Sequence, residues 1–229
     1  LATMTLVALL LASVPSPAQE LLLPDVSEAG SVSADSIAGI IDSVESLEGI
    51  DDELRADILE QLRNAANQIQ VREAAEQAAI AFSDALTTAP AETEAIQAAL
   101  EEETQVPTAA DLGINDDTTL EELTQLLSQE LADQVAADSR VVELEARVEV
   151  QTGRPAVART RISELRANRE ELAAVLQLPP VPSEAKPLTD ARRLAAELQR
   201  IALAAEINRL EQELVSHSAR LGLLRAQLE

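Results

Sequence analysis

Ring side chains are almost missing from this chain. Its 229 residues include no Trp and no Tyr, and Phe82 is the single aromatic. A core without rings is built from aliphatic layers, which suits helix on helix better than a β-sandwich or a cofactor pocket. Cysteine is absent as well. That excludes a disulfide, a thiolate nucleophile and a thiolate metal site. His217 is the only histidine. A metal site built on a histidine pair is therefore excluded, and a Ser-His-Asp arrangement would have to use His217. The six glycines are scattered and form no phosphate-binding loop.

Positive charge is scarce in one half only. Residues 1–130 carry 26 acidic and 3 basic side chains, and residues 131–229 carry 15 and 14. The acidic half would repel nucleic acid and anionic lipid. The balanced half fits helices with paired charges on their outer faces. Ala, Leu, Glu, Gln and Arg dominate the composition, and these are strong helix formers.

Residues 1–18, LATMTLVALLLASVPSPA, are predicted to be a secretory signal peptide. Leu6 to Val14 is an apolar core too short to span a bilayer, and Ser16 and Ala18 suit a cut before Gln19. The first residue is Leu and no basic stretch precedes the core, so an earlier start is expected. Residues 19–32, with Pro24 and Gly30, read as a linker.

An acidic helical segment is expected over 33–103. Its first helix starts at Ser33 or Asp35 and runs to about Glu48, with Ile37, Ile40, Ile41, Val44 and Leu47 on one face. Gly49 ends it. Asp51 caps the next helix, expected to reach Thr88 and stop before Pro90. A shorter acidic helix follows over 91–103. Residues 104–118 read as a loop, and Thr119 with Glu122 forms a capping box for the helix after it.

That helix is expected to stop near Thr152-Gly153, with Pro155 in the first turn of a new one. Two long helices joined by so short a turn would fold back antiparallel. Residues 178–187 hold four prolines and form a stiff link. Thr189 is the expected cap of the last helix. There Leu203, Ile207, Leu210, Leu214, Leu221, Leu224 and Leu228 make a heptad seam, and His217 fills its vacant slot. The partners expected for this helix, about 60 Å long at 1.5 Å per residue, are 119–151 and 155–177. The fold class is all-α: long antiparallel helices in an extended coiled-coil-like bundle, with a three-helix region over 119–229 that continues past residue 229.

No catalytic, cofactor-binding or metal residue is assigned. His217 reads as a polar seam residue that sets register. Asp111, Asn115 and Glu122 fall at positions 1, 5 and 12 of a calcium-loop template. Gly113 supplies no ligand at position 3, however, and Asp116 stands where the template needs glycine. Such clusters before a helix serve as caps. Glu101, Glu102 and Glu103 read as a solvated helix end.

Several motifs carry a resemblance. Pro187-Leu188-Thr189 opens an Ala/Leu-rich helix. Leu210-Glu211 with Glu213-Leu214, then Ser216, Arg220 and Leu223-Leu224, follow. Thr152 to Pro155 and the run ARTRISELRANREEL precede them. The chain resembles the periplasmic porin domain of large MscS-type mechanosensitive channels, over roughly 35–229. It departs from the family's pattern in lacking a Pro-Glu pair after Thr152.

The resemblance implies a non-catalytic periplasmic module of an inner-membrane, homo-oligomeric channel that opens in osmotic downshock. The pore would lie in a downstream part of the chain. No cofactor, nucleic acid or small-molecule substrate is implied. The alternative is a periplasmic coiled-coil adaptor or scaffold of an envelope complex.

Overall fold

A computed structural model of the chain describes residues 23–102, 108–110, 112–115 and 117–229. The expected signal peptide, and residues 19–22 of the expected linker, lie outside the described residues. Every regular element among the described residues is helical.

A short 3-10 helix, Val26–Ser31, comes first. This corrects the expected linker. Ala29 and Val32 are buried against the start of the last helix, so the segment is part of the core. Helix α1 spans Ala34–Glu45, and the Ser33 hydroxyl accepts the Ser36 amide at its N-cap. It stops a turn before Glu48, and Gly49 takes φ +84° in the connection that follows. Only glycine adopts that backbone freely.

Helix α2 runs unbroken from Asp52 to Glu102, through Pro90. The expected break is absent. Proline removes the amide that would serve the Leu86 carbonyl, but Leu86 is at the surface, where water can take that role. Ala89, next to the proline, is buried and helps hold the helix in place.

Helix α3 is a single rod of 58 residues, Leu120–Gln177, about 87 Å long at 1.5 Å per residue. This overturns the expected hairpin at Thr152–Pro155. Its N-terminus is the capping box read from the sequence. Thr119 Oγ1 accepts the Glu122 amide at 3.3 Å, and the Thr119 amide donates to Glu122 Oε2 at 2.8 Å. Helix α4 spans Lys186–Ala226, with Ala185 at the N-cap and Pro187 in the first turn. Thr189 does not cap it. The threonine lies inside the first turn, and its hydroxyl donates to Glu184 at 2.7 Å.

Helix α4 lies between α2 and α3, which flank it without packing on each other. Ile58, Leu62 and Ile69 of α2 share one buried cluster with Leu188, Leu194 and Leu198 of α4. At the far end, Phe82 of α2 meets Arg220 of α4. The two helices are therefore parallel. Helix α3 runs the other way, with Ala158, Ile162 and Leu165 packed on Ile207 and Leu210.

The final helix thus has α2 on one side, not two halves of a hairpin. Its small residues Ala191, Ala195 and Ala202 are buried and let the helices approach closely. Full burial of a Leu or Ile contributes about 1.5–3 kcal/mol, and the two clusters hold most of the fully buried large side chains.

Candidate functional site

The three long helices meet in one polar knot near the middle of α3. On α4, Glu213 is almost fully buried, at 3% exposure, and Ser216 is fully so. A carboxylate at such depth needs a charged partner. Arg154 of α3 supplies it as a fork: Nε donates to Oε1 at 2.6 Å and Nη2 to Oε2 at 2.8 Å. Arg209 adds a longer contact at 3.7 Å. The Arg154 hydrogen bonds hold the Glu213 carboxyl below its usual range, although burial pushes the other way. The same pairing raises the Arg154 pKa.

Arg220, a turn or two further along α4, reaches three elements. Its Nη2 donates to the Glu213 carbonyl at 3.1 Å and its Nε to Ser216 Oγ at 3.2 Å. Its guanidinium carbon sits 4.5 Å from the centre of the Phe82 ring on α2, within the range of a cation–π contact. Its Nη1 points at Gln151 Oε1 of α3, 3.4 Å away. Burial lowers the Arg220 pKa, with Glu213 opposing.

His217 explains why α3 does not break. Pro155 has no amide, so the Gln151 carbonyl four residues earlier loses its helical donor. His217 Nε2 lies 2.8 Å from that oxygen. Because a carbonyl can only accept, Nε2 carries the proton and donates to it. A side chain from α4 therefore stands in for the missing backbone donor of α3. The histidine read from the sequence as a register feature does sit on the α3-facing side, and its partner is a backbone carbonyl there.

Beyond the knot, α3 and α4 are tied by two further pairs, Arg161 with Glu206 at 3.5 Å and Arg166 with Glu211 at 2.6 Å. Both are substantially exposed and are worth little individually. A cavity of about 570 Å³ opens beside Arg220, lined by Ala85 and Ala89 of α2, Ala146 and Val150 of α3, and Leu224 of α4.

Glu122 and Asn115 of the calcium-loop template are occupied in capping. Asn115 Oδ1 accepts the Asp117 amide at 3.0 Å, while Glu122 serves Thr119. The Glu122 carboxyl is held below its usual range by the Thr119 amide first and the Thr119 hydroxyl second. Asp111 and Asp116 lie outside the described residues. Glu101 and Glu102 are exposed at the end of α2, and Glu103 lies outside the described residues.

Sequence reasoning missed the Arg154–Glu213 fork and the Phe82–Arg220 contact. One signal was available for the first. Glu213 stands beside Leu214 at the edge of the seam, where a carboxylate on a packed helix calls for a cation opposite.

Long helices, one buried ion-pair knot and aliphatic layers define an extended all-α module. No helix among the described residues is long and apolar enough to cross a membrane. The chain belongs to the mechanosensitive ion channel porin domain family, whose model matches residues 41–229. That family is non-catalytic and forms the periplasmic part of membrane channels. No curated protein and no solved structure matches the chain.

Proposed function

We propose that the chain is the periplasmic structural and regulatory module of a mechanosensitive channel subunit that acts in osmotic downshock. The observation that carries this reading is the family match over residues 41–229. On this reading the signal peptide at 1–18 exports the module across the inner membrane of a Gram-negative cell. The subunit assembles with copies of itself through the channel, whose membrane-spanning and pore regions lie elsewhere in the same polypeptide. The knot supports a mechanical role, because it fixes α2, α3 and α4 to one another at one level.

The test is an in-frame deletion of codons 41–229 in the full gene, expressed in a strain without its own mechanosensitive channels. Survival of downshock and the tension threshold in membrane patches are measured. A shifted threshold or lost rescue supports a regulatory module. Unchanged gating together with loss of an envelope complex would favour the adaptor reading instead.

A further inference from the structure

The first part of α3 has no helix packed on it among the described residues. Leu120, Leu127, Leu131 and Val135 are 81, 60, 53 and 64% exposed. The rod is buried on α4 only from Leu144 onward, so about 36 Å of helix stands clear. Its apolar residues are not randomly placed. Leu123 precedes Leu144 by three heptads, and Leu120, Leu127, Val141 and Val148 are separated by whole heptads. The two heptad positions that face α4 therefore recur along the free stretch at Leu120, Leu123, Leu127 and Val141, with Glu130 and Gln134 in the slots between.

Charge changes sign along the same rod. Where α3 meets α4, it contributes arginines, namely Arg154, Arg161 and Arg166, to acidic partners. Across the free stretch it offers Glu121, Glu122, Glu130, Asp133 and Asp138. The sequence has sixteen acidic and no basic side chains between Arg72 and Arg140.

A second copy laid stripe to stripe would oppose acid with acid. The arginine-bearing half of a second copy's α3 has its apolar face buried on its own α4, and Arg154, Arg161 and Arg166 there are paired with Glu213, Glu206 and Glu211. Apolar helix seams flanked by charge of one sign select partners flanked by the other.

We infer that the face of α3 from Leu120 to Val142 docks an amphipathic helix of another polypeptide, with an aliphatic seam and Lys or Arg flanks. The docked helix lies end to end with α4. This surface is independent of the channel reading and stands or falls separately.

The experiment uses the full chain and a fluorescent three-heptad peptide with Leu at a and d and Lys at e and g. A matched peptide carries Glu at e and g, and fluorescence anisotropy reads binding. The Lys-flanked peptide should bind saturably and the Glu-flanked one should not. Leu123→Glu with Leu127→Glu should weaken binding by about tenfold or more, although it adds two charges of the attracting sign. Both positions are solvent-accessible, so the helical circular dichroism should persist. Glu130→Lys with Asp133→Lys should shift preference toward the Glu-flanked peptide.

Equal or tighter binding to the Leu→Glu variant would reduce the interaction to charge alone and overturn the inference. So would indifference to peptide charge, or no binding. Self-association in sedimentation that Leu127→Glu abolishes would assign the face to a second copy instead.

Discussion

The two halves of α3 share one rod and opposite circumstances. From Leu144 to Gln177 the helix buries Ala158, Ile162 and Leu165 against α4 and ties itself there with arginines. From Leu120 to Val142 it carries leucines and valines open to solvent, with Leu120, Leu123 and Leu127 at the same heptad positions. Helix propensity does not distinguish them. The difference is tertiary: α4 reaches one half and not the other. An apolar seam records what a helix is made to touch, and the structure shows which part of that demand this chain meets itself.

The comparison can be broken most directly by matched truncations. Leu165→Ala should cost about 2–5 kcal/mol, the usual range for a fully buried leucine. Leu127→Ala should change stability by less than about 0.5 kcal/mol. Urea melts followed by circular dichroism check both, and equal losses would mean the free half is packed after all.

Next in size is Glu213→Gln, which leaves Arg154, Arg209 and Arg220 without their shared carboxylate. A loss of about 3 kcal/mol is expected for breaking a buried pair, moderated because Arg154 is about one-third exposed. The sign with pH follows from the depressed carboxyl. Its folded pKa lies below its unfolded one. The contribution is therefore complete above the ordinary carboxylate range and fades as pH falls through the folded value. The acid limb of the stability curve should flatten in the Gln variant, as read by melts from pH 7 to pH 3.

His217→Leu should cost about 1–3 kcal/mol by leaving the Gln151 carbonyl unpaired. Pro155→Ala restores the backbone amide, so the histidine should matter less in that background. A double-mutant cycle measures this, and strict additivity would sink the capping role. The smallest effect belongs to Thr119→Ala, about 1 kcal/mol for a lost N-cap. With no helix packed on it among the described residues, that loss should appear as fraying in hydrogen exchange over the first turns of α3 only.

Much of the fold was legible because it is local. The Thr119–Glu122 box, the Asp51 cap, whose carboxylate accepts the Glu53 and Leu54 amides, and the aliphatic seam of α4 each depend on residues within a few positions of one another. The continuity of α2 and α3 was not legible. Pro90 and Gly153-Pro155 are breakers by local rules, and in α3 the compensation comes from His217, sixty-two residues after the proline. The parallel α2–α4 pairing was hidden for a related reason. Its alanines and leucines are compatible with many partners, and only the closed structure selects one. In the knot, Glu213, Ser216 and Arg220 were visible as motif residues, but their partners Arg154, Gln151 and Phe82 lie on other helices.

The His217–Gln151 contact has a consequence for sliding. Arg154 and Arg161 stand seven residues apart, and so do Glu206 and Glu213. If α4 slipped along α3 by one heptad in the right direction, Arg154 would meet Glu206 and part of the ionic ladder would close again. The proline-freed carbonyl does not repeat. In the slipped state His217 would come to the level of Leu144, and Gln151 would lose its donor. The Arg/Glu ladder works as a ratchet with several teeth, and Pro155 with His217 is the single notch that tells the two rods where to stop.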